Sequence, residues 1–335
     1  MKKERKTFLS LLIMGLLFST TAISCIGANL EPSEKHMSTL TGDKEGFLCT
    51  LDAEPPEWEI GHQWMYQMDP VVIDVQEDSY SLDATIEFET LTLEVMDMSN
   101  EDYYIEFSAD ITGGFDANIN HGVIDLSGEF LNKMFTTSKL RGNMVFRKSD
   151  LAIKEINLDL AFTLKIKIND VIPLRVPASI DLNIDFDTPL ESMDFPFDVG
   201  EYWGNPKITV SFDGEIKSRW LYRINLLDRV LHILDPEISD LLPVIDISDL
   251  IEYAGADNSF VIPEETNNFH CIERLDLSVG ANTYQAYKIK IGDYEGSFYY
   301  APSAGMVIKI SDLDLQEYIP FLGRFNVQLI DTNFS

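Results

Sequence analysis

Basic residues are scarce in this 335-residue chain: 25 lysines and arginines stand against 56 aspartates and glutamates, for a net charge of −31. A field of that sign repels polyanions, which excludes nucleic-acid binding, and it keeps a protein soluble. It also suits cationic partners, although a solvated acidic surface is the plainer explanation. Histidine is scarcer still. His36, His62, His121, His232 and His270 show no ligand spacing, which argues against a zinc site. The chain also lacks a Gly-x-Ser-x-Gly elbow, a phosphate-binding glycine loop, a dinucleotide glycine pattern and a His-Glu-x-x-His helix. No residue can therefore be nominated as catalytic, and no cofactor is implied.

Cysteine is limited to three residues, and their placement follows from the N-terminus. Lys2, Lys3, Arg5 and Lys6 precede the apolar run Phe8–Phe18, which leads into Ser-Thr-Thr-Ala-Ile-Ser-Cys. That is the basic, apolar, small-residue order of a secretory signal, so residues 1–24 read as a signal peptide or N-terminal membrane anchor and the protein as exported. Cleavage after Ser24 would leave Cys25 first, as in a lipoprotein box, although Ala22 stands where such boxes usually carry Leu. Lipidation, plain cleavage and an uncleaved anchor all remain open. Export fixes the compartment as oxidising, where Cys49 and Cys271 would form a disulfide or stay as two buried thiols.

Residues 25–55 mix Glu, Pro, Ser, Lys, Gly and Thr without period and read as a flexible tether. The rest, 56–335, reads as one β-rich body. It contains one motif twice: Glu59-Ile60-Gly61-His62-Gln63-Trp64 and Asp198-Val199-Gly200-Glu201-Tyr202-Trp203. Each follows a proline, and Gly61 and Gly200 permit a positive φ while Trp64 and Trp203 pin the turn to a core. The repeat divides the body into two similar halves, 56–188 and 189–335.

Period-two alternation dominates between the motifs. Ile156, Leu158, Leu160, Phe162, Leu164, Ile166 and Ile168 alternate with Asn157, Asp159, Ala161, Thr163, Lys165 and Lys167, and Ile180, Leu182, Ile184 and Phe186 resume the pattern. Gly113-Gly114 reads as the end of a strand, and Val145 to Ile153 as one continuous strand. Long one-faced strands predict a mainly β fold: a large curved antiparallel sheet or partial barrel. Between about 220 and 253 the period changes. Trp220, Ile224, Leu227, Leu231 and Leu234 follow helical spacing and predict an inserted helical segment that covers a sheet face. Strands return from Phe260, with a hairpin turn at Pro302–Gly305.

Two further patterns are weak. Asp181-x-Asn183-x-Asp185-x-Asp187 begins like a calcium loop, but Phe186 replaces the sixth-position Gly and no Glu closes the loop. Asn333-Phe334-Ser335 fits a glycosylation acceptor.

The opening Gly61, Trp64 and Tyr66, with the terminal Tyr299, Tyr300, Pro302, Gly305 and Val307, resembles uncharacterised exported β-rich proteins of archaea and bacteria. Some of these are similar in outline to lipoprotein-carrier (LolA-like) half-barrels, in which a curved sheet wraps helices and an apolar cavity. The resemblance carries over no functional residue. It implies an apolar ligand; the residues that read as a cavity, from the aromatic content and the apolar helical stretch and not from the resemblance, are Trp220, Leu227, Leu231 and Tyr299. The leading expectation is a non-catalytic exported protein, at the cell surface or extracellular, that binds a lipid-like molecule and meets membrane only through its N-terminus. A structural or interaction protein with a filled core and a cation-attracting surface is the alternative, and an extracellular hydrolase is the third reading.

Overall fold

The computed structural model describes residues 53–76, 80–119, 124–132, 138–168, 172–217, 258–262, 264–292, 296–314 and 324–334. The alternating pattern does what it predicts: apolar residues at every second position can be buried together only on one face of an extended chain. The described residues form a single 17-stranded sheet, with every pairing antiparallel, and one 3-10 turn at Pro302–Ala304. In chain order the strands are β1 (Gln63–Met68), β2 (Val71–Gln76), β3 (Tyr80–Phe88), β4 (Leu91–Met98), β5 (Asp102–Ile119) and β6 (Ile124–Phe130). Next come β7 (Lys139–Arg147), β8 (Ile153–Ile168), β9 (Ile172–Leu190), β10 (Tyr202–Asn205), β11 (Ile208–Lys217) and β12 (Asn258–Ile262). The last are β13 (Glu265–Val279), β14 (Asn282–Ile291), β15 (Ser297–Ala301), β16 (Met306–Asp314) and β17 (Arg324–Thr332).

The pairings close on themselves. From β11 the ladder passes through β9, β8, β7, β5, β4, β1, β17, β16, β15, β14 and β13. It then returns, because β13 pairs β10 and β12 pairs β11 in one continuous register. Trp203 opposes Phe269 and Ile208 opposes Ile262 along the same two chain runs. A closed ladder leaves no open edge around the circuit.

One pairing order occurs twice around this circuit. The pairs β1–β4, β2–β3, β4–β5, β5–β7, β7–β8 and β8–β9 recur in the second half as β10–β13, β11–β12, β13–β14, β14–β15, β15–β16 and β16–β17. Register shifts recur with them. One falls between Val95 and Asp97 and again between Cys271 and Glu273, another between Val145 and Phe146 and again between Tyr299 and Tyr300.

Two readings of the sequence are corrected here. Strand β5 does not stop at Gly113-Gly114 but runs through to Ile119, changing partners there from β4 and β7 to β3 and β6. A Cβ on Gly113 would lie 2.0 Å from the Thr85 carbonyl oxygen, so the glycine marks a close crossing of two backbones. Val145–Ile153 is not one strand, because Lys148–Asp150 form the turn between β7 and β8. Ala53, inside the expected tether, is packed into the body: its N–H donates to Phe197 O at 2.8 Å and Phe197 N–H to Ala53 O at 3.2 Å. The expected helical segment 220–253, the leader with Cys25, and Cys49 all lie outside the described residues.

Candidate functional site: an apolar inner face above a duplicated aromatic motif

The repeated motif builds one end of the sheet. Gly61 and Gly200 take φ of 90° and 95°, which lets each turn fold back on a neighbouring strand. Gly61 N–H donates to Val95 O at 2.8 Å and Val95 N–H to His62 O at 2.9 Å. In the second half Gly200 N–H donates to Cys271 O at 2.7 Å and Cys271 N–H to Glu201 O at 3.0 Å. Within each turn His62 N–H donates to Glu59 O, and Glu201 N–H to Asp198 O.

The motif also extends one aromatic residue further back than the sequence reading recognised. Trp58 lies 5.2 Å from Trp64 between ring centroids, and Phe197 lies 5.2 Å from Trp203. Trp58 then meets Tyr103 and Phe146 at 4.9 and 5.5 Å, where Phe197 meets Tyr287 and Tyr300 at 5.4 and 6.0 Å. A tryptophan facing a phenylalanine across the two copies hid this from pattern matching; the shared offset of six residues from the following Trp was the available signal.

All four motif aromatics are buried, and the indole N–H groups are satisfied by backbone carbonyls. Trp58 Nε1 donates to Gly305 O at 2.9 Å, Trp64 Nε1 to Ala304 O at 2.7 Å, and Trp203 Nε1 to Ser192 O at 3.4 Å. A buried aromatic cluster with its polar handles tied off is core, with no donor left over for a ligand. His62 belongs to the same construction, since its Nδ1 accepts from Glu59 N–H at 3.0 Å and its ring edge meets Phe334.

Along β8 and β9, away from that cluster, the inner face changes character. Ile156, Leu158 and Leu160 oppose Ile184, Leu182 and Ile180, and all six are buried. Further on, Phe162 opposes Ala178 and Leu164 opposes Val176, and here Phe162, Leu164 and Ile166 are only partly buried. Phe130 of β6, Phe115 of β5 and Leu82 and Ala84 of β3 continue the same row, also partly buried. Gly128 faces Phe115, whose ring occupies the space a Cβ would need, at 2.1 Å. No charged side chain lies on this inner row.

The opposite face of the same strands is polar. It carries Asn157, Asp159, Thr163, Lys165 and Lys167 on β8, and Arg175, Asp181, Asn183, Asp185 and Asp187 on β9. A membrane-spanning barrel has the reverse arrangement, with an apolar band outside and a polar interior. The acids of the Asp181–Asp187 pattern therefore decorate the outer face. Among the described residues no group of three or more His, Cys, Asp or Glu is arranged to hold a metal.

Tyr299 shares the outer face of Lys309, whose Nζ lies 6.0 Å from its ring centroid, while Phe298 and Tyr300 turn inward. Tyr299 is thus apart from the inner row, and Trp220, Leu227 and Leu231 lie outside the described residues. Cys271 is fully buried beside the Gly200 turn, and burial, then Asp198 and Glu201, pushes its thiol up to about 12. Asn333 is committed within the fold: its amide donates to Gly61 O at 2.9 Å and its Oδ1 accepts from Gln63 N–H at 2.7 Å.

No family model matches this sequence, no curated protein matches it, and no solved structure matches it.

Proposed function

We infer that this chain is an exported, non-catalytic carrier or receptor for an apolar, lipid-like molecule. The observation that carries the reading is the uncharged inner row Leu82–Phe115–Phe130–Phe162–Leu164–Ile166, partly buried at the end of the sheet opposite the aromatic cluster. A closed sheet of about eight strands is just wide enough for its own side chains or one small ligand. The twelve positions of this circuit make a wider barrel, and its aromatic end is filled by residues 53–64. Ligand sites are commonly apolar and concave, and an inward face of a closed sheet meets that description.

In this reading the apolar segment 220–253 is the inserted helical cover, since Trp220, Leu227 and Leu231 fall on one helical face. Residues 56–188 and 189–335 are two copies of one unit, a reading supported by the recurring pairings and bulges. The leader and Cys25 hold the protein at the cell surface or release it outside the cell.

Displacement of a fluorescent acyl probe tests the proposal. Leu164→Asp on the inner row is expected to lower probe affinity at least tenfold, while Thr163→Asp on the outer face leaves it within twofold. Equal effects from both, or no probe binding by the parent chain, would count against it. The filled aromatic core favours the alternative, a cell-surface structural or interaction protein, and a parent chain that binds no probe would shift the reading there.

A further inference from the structure

Strand β5 carries the same pairing twice. Phe107 stands opposite Gly142 of β7, and Phe115 stands opposite Gly128 of β6. In both places the ring leans across the neighbouring strand. A Cβ on Gly142 would lie 2.2 Å from Phe107 Cζ, and one on Gly128 would lie 2.1 Å from Phe115 Cε1. Directly opposed Cβ atoms are about 5 Å apart, so a ring that comes this close has lain down over its glycine. What covers the two rings differs. Phe107 is 1% exposed beneath the core, whereas Phe115 is only partly buried. Nearby, Phe130 and Phe162 pair edge to face at 5.8 Å, while among the described residues no other ring stacks on Phe115.

The inner face around Phe115 is hollow. One register row crosses five strands as Ile73, Ala84, Phe115, Gly128 and Ile166, with large residues at its ends and small ones beside the ring. Along β5 the same-face neighbours are Gly113 and Ala117, which are small as well. Strand spacing and rise make this floor about 10 Å by 14 Å. The recumbent phenyl ring lies at its centre, and no polar side chain stands in the row.

We propose that Phe115 determines what this inner face accepts: a molecule with a flat, fused-ring apolar part that stacks on the phenyl face. The proposal rests on the reading above that the inner row holds an apolar molecule, and it names that molecule's chemistry. An acyl chain gains dispersion contacts from any apolar wall and draws no special benefit from a ring lying on the sheet. A planar π system gains offset stacking in addition, worth about three- to tenfold in affinity. Its shape also matches the floor, where its edges meet Ile73 and Ile166. Polar substituents on the ring would find no hydrogen-bond partner in the row, so any polar group of the ligand lies outside it.

Fluorescence titration of the exported chain with two probes tests it: pyrene, a fused-ring hydrocarbon, and parinaric acid, a straight acyl chain. Phe115→Leu keeps an apolar side chain and removes the ring. It should weaken pyrene binding about three- to tenfold and leave parinaric acid within about twofold, which also shows that the variant is folded. Phe115→Tyr keeps the ring and should bind pyrene like the parent. In the parent chain, nuclear Overhauser contacts are expected between pyrene and the Phe115 ring protons, a readout that needs no variant. A parent that binds parinaric acid but whose Phe115→Leu variant loses both probes equally, or neither, overturns this proposal and leaves the carrier reading standing. Pyrene contacts confined to leucine and isoleucine methyls would do the same. A parent that binds neither probe overturns the carrier reading, and this proposal with it.

Discussion

Leu151 and Gly305 occupy one position in the two halves, each closing the hairpin that follows the second bulge, with φ of 56° and 61°. A left-handed conformation costs a side-chain-bearing residue roughly 1–2 kcal/mol, and glycine almost nothing. The first half carries that strain and keeps a buried leucine; the second avoids it and packs Phe334 against the bare glycine. Gly305→Ala should therefore cost more than the conformational penalty alone, because the new Cβ would lie 2.6 Å from the Phe334 ring. Denaturant unfolding is expected to show a loss above about 2 kcal/mol, and Phe334→Ala in the same background should recover part of it.

Gly61 and Gly200 offer a matched pair. Their φ values agree within a few degrees, and a Cβ at either position meets nothing within 4 Å. Alanine at each site should cost only the backbone term, about 1–2 kcal/mol. The two losses should also be equal within about 0.5 kcal/mol, since the sites are far apart in sequence and built alike. Unequal costs would show that the two turns are not equivalent.

The inner face of β8 predicts a gradient. Leu158 is 3% exposed and Leu164 is only partly buried on the same face. Leu158→Ala should cost about 2–5 kcal/mol, the usual range for a buried leucine. Leu164→Ala should cost less than Leu158→Ala, because part of its side chain already meets solvent. Chemical denaturation of the two variants distinguishes a packed base from an accommodating tip.

His270 stacks on Tyr202 with ring centroids 3.8 Å apart, and its pKa lies below the ordinary 6.5 because burial, then Lys290, disfavours the charged ring. The unfolded chain therefore takes up a proton on this side chain at a higher pH than the folded one does. Its contribution to stability is present above 6.5 and is lost as pH falls from 6.5 toward the folded value. His270→Gln should flatten the stability curve over that window, read as the unfolding midpoint at successive pH values.

Cys271 is a buried thiol raised to about 12, so it should not react with a thiol reagent at pH 8 until the chain is denatured. Mass spectrometry after labelling with and without reductant reports whether Cys49 joins it in a disulfide.

The sequence displayed the strands plainly wherever one face is buried and the other wet, because alternation then reaches into every residue, as from Ile153 to Ile168. The two glycine–tryptophan turns were legible for the same local reason. Closure was not, because it rests on pairings such as Trp203 with Phe269 and Tyr66 with Leu329, between residues far apart in sequence. Gly113-Gly114 misled because glycine most often ends a strand, whereas here it lets two backbones cross closely. The candidate inner row was visible as a pattern on β8, but its half-buried state depends on the neighbours that β5, β6 and β3 supply.

The proposed apolar molecule would lie within the closed sheet, on the inner face beyond Leu160. Native mass spectrometry of the exported chain, purified without detergent and retaining Ala53 for its pairing with Phe197, addresses it most directly. A bound mass is expected that is released on denaturation and diminished by Leu164→Asp. A parent chain that flies at its bare polypeptide mass, from cells in which lipids are abundant, would contradict it.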